Sequence, residues 1–252
     1  MNDFGAFAGF GLLVVRPGMI VMATPFLGAM NAPTHVRVGL TVILAVLVAA
    51  GVNVTVALPA SGLAIIVLRE MAIGIAIALA IRVLLSAAEF AGHFIGYQIG
   101  LSLGSLIDPQ SGVRNNVLAI IYGNLAAVLC LGLNIHHTLL RALADSYRLL
   151  PMGFGGIDAG GDVTIIRMLT FIFVVGVRIA MPVVVVLLLV ELALGLMGRV
   201  APSLNVIVAG APIRIVAGLL VLAVSLSVLP TILSRFAPMA FDMAADLAGA
   251  FR

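Results

Sequence analysis

An all-α, polytopic membrane protein is the fold class this sequence predicts, on three observations. Of 252 residues, 63% are hydrophobic and 9% are charged, whereas a soluble domain carries roughly 25% charged residues. The mean hydropathy is +1.29. The apolar runs do not alternate: residues 183–190 read VVVVLLLV, while strands of a membrane barrel alternate apolar and polar side chains. Lipid offers no partner for a free strand edge, so such segments must satisfy their backbones as helices. At about 20 residues per span, the chain holds roughly six or seven of them.

The elements follow in order. The first apolar run begins at Phe4 and passes Arg16-Pro17 toward Met30. Its first charge is Asp3, so it lacks the basic start of a secretory signal and is expected to belong to the mature protein. Asn31-Ala32-Pro33 separates it from a run over 38–58, and Pro59-Ala60-Ser61-Gly62 ends that one. Segments 63–87 and 88–107 come next, closed by Asp108-Pro109-Gln110-Ser111-Gly112. A run over 117–140 leads to a glycine-rich polar loop at 150–164. The run 165–198 ends in a broken connection from Arg199 to Pro212 that holds Pro202 and Asn205. A last run, 213–234, precedes a short amphipathic tail containing Pro238. No fixed-period repeat or low-complexity tract interrupts them, and a single membrane-embedded domain over 1–252 is expected.

The net charge of +3 comes from 13 arginines scattered singly, with no lysine, against 10 acids. No basic patch of the kind that grips nucleic acid forms. Cys130 is the only cysteine, which excludes an intramolecular disulfide and a cysteine-based metal cluster; its apolar neighbours predict a small buried hydrophobe. Seven ionisable residues stand within apolar runs: Arg16, Arg69, Glu70, Arg82, Glu89, Arg178 and Glu191. Each would cost about 2.5–3.5 kcal/mol at a bilayer centre. They are spread over many segments, which favours pairing across helices, or helices that do not sit in lipid at all, over a single proton or substrate pathway. Glu89 and His93 lie four apart and are placed to interact on a helix.

The sharpest pattern is FAGHFIGYQIGLSLGSLIDPQSG at 90–112. Gly92, Gly96, Gly100 and Gly104 recur every fourth residue and would line one helical ridge. Glycines so placed let another backbone come close, within this chain or from a neighbouring subunit. The row runs into Asp108–Gly112 and Arg114-Asn115-Asn116, where proline stops a helix and Asp, Ser, Gly and Asn supply turns. This is either an ordinary surface loop or a polar loop lining a conduit.

Catalytic and cofactor spacings are not found. His136 and His137 are adjacent and point about 100° apart on a helix, and neither a phosphate-binding loop nor an H-E-x-x-H helix is present. Ser102 and Ser105 lie among glycines with no committed histidine, so an intramembrane hydrolase has little support. A self-contained secondary transporter would show inverted repeats, which the sequence does not.

Five blocks of the chain are similar to the FliR family of flagellar export proteins and its virulence-system counterparts, called SctT. They are residues 16–40, 69–83, 90–112, 133–153 and 191–220. The blocks carry the family's R-x-G pattern at Arg16, its glutamate and glycine at Glu70 and Gly74, its glycine-rich helix with a D-P turn, and its N-x-H-H…S…L-P run from Asn134 to Pro151. The last carries a break with Pro202, Asn205, Gly210 and Pro212. Ala78 stands where a glycine is common, Ser203 where a glutamine is, Ile207 where a phenylalanine is, and Arg214 where a lysine is. The resemblance implies a non-enzymatic, cofactor-free subunit of a type III export gate in the bacterial inner membrane and flagellar basal body, the virulence-type gate being the alternative. Implied partners are FliP-, FliQ-, FlhB- and FlhA-type subunits, membrane lipid and unfolded exported chains. Asp108, Pro109, Gln110, Ser111, Gly112, Arg114, Asn115 and Asn116 would then form the plug loop that closes the channel.

Overall fold

A computed structural model of the chain describes residues 2–25, 33–51, 63–101, 116–152, 161–200 and 206–251. Among these residues every regular element is a helix. They are α1 (Asn2–Ala23), α2 (Thr34–Ala49), α3 (Leu63–Ile99), α4 (Val117–Gly132), α5 (Ile135–Leu149), α6 (Gly161–Val200), α7 (Val206–Ser225), a 3-10 turn (Leu226–Val228) and α8 (Leu229–Gly249). Three stretches are long and apolar enough to cross a membrane, Leu63–Ile99, Gly161–Val200 and Gly210–Gly249, or four if the bent pair α4 and α5 acts as one. The protein is an all-α polytopic membrane protein.

Several boundaries differ from the sequence reading; α1 ends at Ala23 and α2 at Ala49, short of the ends expected at Met30 and residue 58. Segments 63–87 and 88–107 are one helix up to Ile99, 37 residues long. Nothing in Ser86-Ala87-Ala88 breaks a helix, and the resulting rod of ~55 Å far exceeds a hydrocarbon core of ~30 Å. The run 117–140 is instead two helices that meet at a bend of 70°. Asn134 makes the break, with a left-handed φ of 59°, a conformation asparagine tolerates better than most residues. Beyond it α5 buries Ile135, Leu139, Leu143, Ser146 and Tyr147 on one face, the i, i+4, i+8 stripe of an amphipathic helix. The connection expected over Arg199 to Pro212 is narrower, because α6 continues to Val200 and α7 starts at Val206. Gly210 and Pro212 are therefore helical, while Pro202 and Asn205 lie outside the described residues.

The helices group into two compact units, each discontinuous in sequence: Met1–Val83 with Cys130–Leu169 and Ala237–Arg252, and Leu84–Leu129 with Thr170–Phe236. In the first unit α1, the N-terminal half of α3, and α5 enclose a charge. Arg16 is completely buried, as is Glu70. The Arg16 guanidinium donates from Nε and Nη2 to the two carboxylate oxygens of Glu70, from Nη1 to Ser146 Oγ at 3.1 Å, and from Nη2 to the Leu150 carbonyl at 2.7 Å. Its face lies 4.3 Å from the centre of the Tyr147 ring. Arg69 flanks Glu70 at 3.6 Å and reaches the carbonyls of Pro151 and Phe251 at 3.1 and 2.6 Å.

Two residues make this closeness possible. Gly74 sits one turn beyond Glu70, and a Cβ there would stand 2.9 Å from both the Arg16 carbonyl oxygen and Met19 Cβ; α1 and α3 touch because glycine leaves the space. Pro17 lies inside α1 and has no N–H for the carbonyl four residues back. That carbonyl, of Leu13, accepts the Tyr147 hydroxyl at 2.8 Å instead.

A buried pair is strongly destabilised when one member alone is removed. Arg16→Ala or Glu70→Ala is expected to cost about 3–5 kcal/mol, whereas Arg16→Met combined with Glu70→Leu costs less, because neither member of the pair is left as a bare charge and Arg69 keeps its two carbonyl acceptors. Thermal unfolding of the purified chain in detergent measures this; single variants as stable as wild type would refute it.

Candidate functional site

The glycine row of α3 meets α4 in the second unit. Gly92 and Gly96 are buried. A Cβ on Gly92 would lie 2.6 Å from the Leu118 carbonyl oxygen and from Ala119 Cα, so the backbone of α4 rests directly on α3. A Cβ on Gly96 would collide with the side chain of Asn116.

Asn116 is seated in that notch and works at both ends. Its Oδ1 accepts the Leu118 amide at 3.0 Å, capping a free donor of the first turn of α4. Its Nδ2 donates to the His93 carbonyl of α3 at 3.2 Å. Its own carbonyl accepts the amides of Ala119 and Ile120 at 2.9 and 3.2 Å. The start of α4 is thus capped and fastened to α3 by one side chain.

Gly100 does not extend the ridge; it ends the helix. Its φ is 92°. The Gly100 amide donates to Tyr97 O and the Leu101 amide to Gly96 O, each at 3.1 Å, the paired bonds of a left-handed helix stop. The residues between these two closed helix ends include Gly104, Asp108, Pro109, Gln110, Ser111, Gly112, Arg114 and Asn115, which lie outside the described residues. Of the expected loop, Asn116 alone is described.

Most of the other in-segment charges also find partners within the chain. Glu191 on α6 pairs with Arg214 on α7 at 3.4 Å and accepts from Gln98 of α3 at 3.5 Å. Arg178 stands over the Phe236 ring at 5.2 Å. Arg82 donates to the Ala23 carbonyl at 2.5 Å. Glu89 and His93 sit one turn apart on the exposed side of α3 with no hydrogen bond or ion pair between them. The His136 and His137 rings lie closer than their sequence positions suggest, 4.2 Å between centres. No group of three or more metal-ligating side chains occurs among the described residues. Cys130 is fully buried among apolar groups.

The convergence of separate blocks was not visible in the sequence. Arg16, Glu70, Ser146 and the Leu150 carbonyl come from three of the blocks and form one node; Gln98, Glu191 and Arg214 come from two others and form a second. The signal that pointed to them was a charge inside an apolar run, which says that a partner exists without saying which.

Span-length apolar helices, most of whose in-segment charges are paired within the chain, and a glycine-lined helix pair closed at both ends of a polar connection, define a helical integral membrane protein. The sequence profile of bacterial export proteins, family 1, matches residues 7–238. The chain belongs to that family and, within it, to the FliR family. It is similar to the flagellar biosynthetic protein FliR of Pectobacterium carotovorum, 30% identical over 92% of this chain and 90% of the relative. The FliR protein of Escherichia coli is 28% identical over 93% and 90%, and that of Bacillus subtilis 26% over 88% of each chain.

The Gly96–Asn116 contact predicts non-additivity. Asn116→Ala is expected to cost about 1 kcal/mol for the lost cap. Gly96→Ala should destabilise the wild type by evicting Asn116, yet stabilise the Asn116→Ala protein by roughly 0.8–1 kcal/mol through helix propensity. Gly92→Ala meets unyielding backbone in both backgrounds and should cost roughly 1–3 kcal/mol. A double-mutant cycle on thermal stability decides; simple additivity of the Gly96 and Asn116 changes would refute the seat.

Proposed function

We propose that this chain is a core subunit of the flagellar protein-export gate, and that its Asp108–Asn116 stretch plugs the conduit at rest. A FliR-family chain with span-length apolar helices is a component of the flagellar export apparatus of the bacterial inner membrane. The finer reading rests on one observation above all. α3 and α4 are fused along Gly92 and Gly96 and closed by Gly100 and Asn116, on either side of a stretch rich in Asp, Gln, Ser, Gly and Asn.

The chemistry supports that reading. A polar stretch presents an unfolded chain in transit with water-like, non-adhesive contacts. The close contact of α3 and α4 at Gly92 and Gly96 would narrow the lateral path for ions beside it. The pairing partners would be FliP-, FliQ-, FlhB- and FlhA-type subunits. Nothing in the reading requires catalysis: the subunit shapes and seals a path, and the driving energy is supplied by other components. The relatives are flagellar proteins, which favours the flagellar apparatus over a virulence-type one.

The test is a deletion of Gln110 to Asn115 in cells that assemble the complete apparatus. Asn116 is retained because it caps α4. The expected outcome is an assembled complex that leaks ions across the membrane. An assembled complex that stays tight and secretes normally would mean that the stretch is ordinary surface.

A further inference from the structure

We propose that the cleft around Glu89 receives an arginine from an otherwise apolar helix of a neighbouring subunit. The inference rests on the chain being a gate subunit and names the chemistry of one partner contact.

The cleft, of about 310 Å³, lies between α3 and α4 in the second unit and is lined by Glu89, His93, Asn116, Ile120, Gly123 and Asn124, with Ala119. Gly123 leaves the room in which the Glu89 side chain lies against α4: a Cβ at that position would stand 2.7 Å from Glu89 Cγ and 3.0 Å from Oε1. The glutamate therefore folds onto a built seat against α4. It pairs with no cation among the described residues, unlike Glu70 and Glu191, which both do.

The surroundings choose the occupant. Val117, Ile120, Ile121 and Val128 face outward on α4 at 63, 47, 44 and 65% exposure, and Phe94 is exposed beside His93 on α3. A carboxylate surrounded by such a surface suits neither lipid, which leaves the charge unpaired, nor bulk water, which leaves the apolar side chains wet. A helix that is apolar along its length and carries one cation satisfies both. Arginine fits better than lysine, because its planar fork of donors engages a carboxylate with two nitrogens and keeps further N–H groups for the Asn124 amide oxygen and a His93 ring nitrogen.

In cells assembling the whole apparatus, Glu89→Arg is expected to leave the chain in the membrane at wild-type amount. Recovery of the other apparatus subunits with it should fall at least roughly tenfold. An Arg→Glu change in a helix of one of those subunits should restore recovery. Glu89→Gln, which removes the charge and keeps the shape, should lower recovery in the same direction, and it alone decides if Glu89→Arg fails to accumulate. Wild-type recovery with Glu89→Gln overturns the inference. So does a photoreactive side chain at position 124 that links only to phospholipid, or only to this chain. If the wild-type chain itself recovers no apparatus subunit, the gate reading fails and takes the inference with it; if wild type and variants recover the subunits equally, the inference alone fails.

Discussion

The buried Arg16–Glu70 pair is the constraint on which the first unit depends. An apolar helix face slides easily past another, since one leucine replaces the next at similar energy. A guanidinium with no exposure does not permit sliding, because each N–H left without an acceptor is costly in a low-dielectric interior. Its acceptors come from α3, from Ser146 on α5 and from the Leu150 carbonyl just past the end of α5. Three helices thereby share one register. Gly74 and Pro17 serve the same end by different means, one by leaving room for contact, the other by freeing the Leu13 carbonyl for Tyr147.

The second unit shows a looser version of this arrangement. Glu191 meets Arg214 with both side chains about one-third exposed, at 36 and 35%, so solvent or neighbouring groups share the charge and the pair directs packing less strictly. The pair with Glu191 needs only a cation at position 214. Order here comes mainly from the contact of α3 and α4 at Gly92 and Gly96, where backbone meets backbone or a capping side chain.

The all-helical membrane character was legible in composition and in the absence of alternation, because a hydrocarbon solvent leaves the backbone few options. Helix ends were legible where a local signal made them, as with Pro33 just before the first residue of α2, but the end of α3 falls at Ile99, well before the Asp108-Pro109 break that marked it in the sequence. They were misjudged where the signal was tertiary or weak: no residue near 87 ends a helix, and a single asparagine at 134 turns one. Of the candidate site, the four-residue glycine spacing marked close packing, but spacing alone cannot tell that Gly100 adopts a positive φ while Gly92 and Gly96 do not. The charge nodes stayed hidden because Arg16 and Ser146 stand 130 positions apart. Only the folded chain brings such residues together, and each had many alternative partners of the right sign or polarity.

The two closed helix ends at Gly100 and Asn116 fix where the flanking helices stop and start. Both flanking helices satisfy their terminal groups with their own residues, through the Leu101 and Gly100 amides on one side and the Asn116 side chain on the other. The stop of α3 and the start of α4 are therefore each set by a residue outside 102–115, so exchanging residues within that stretch leaves both caps in place.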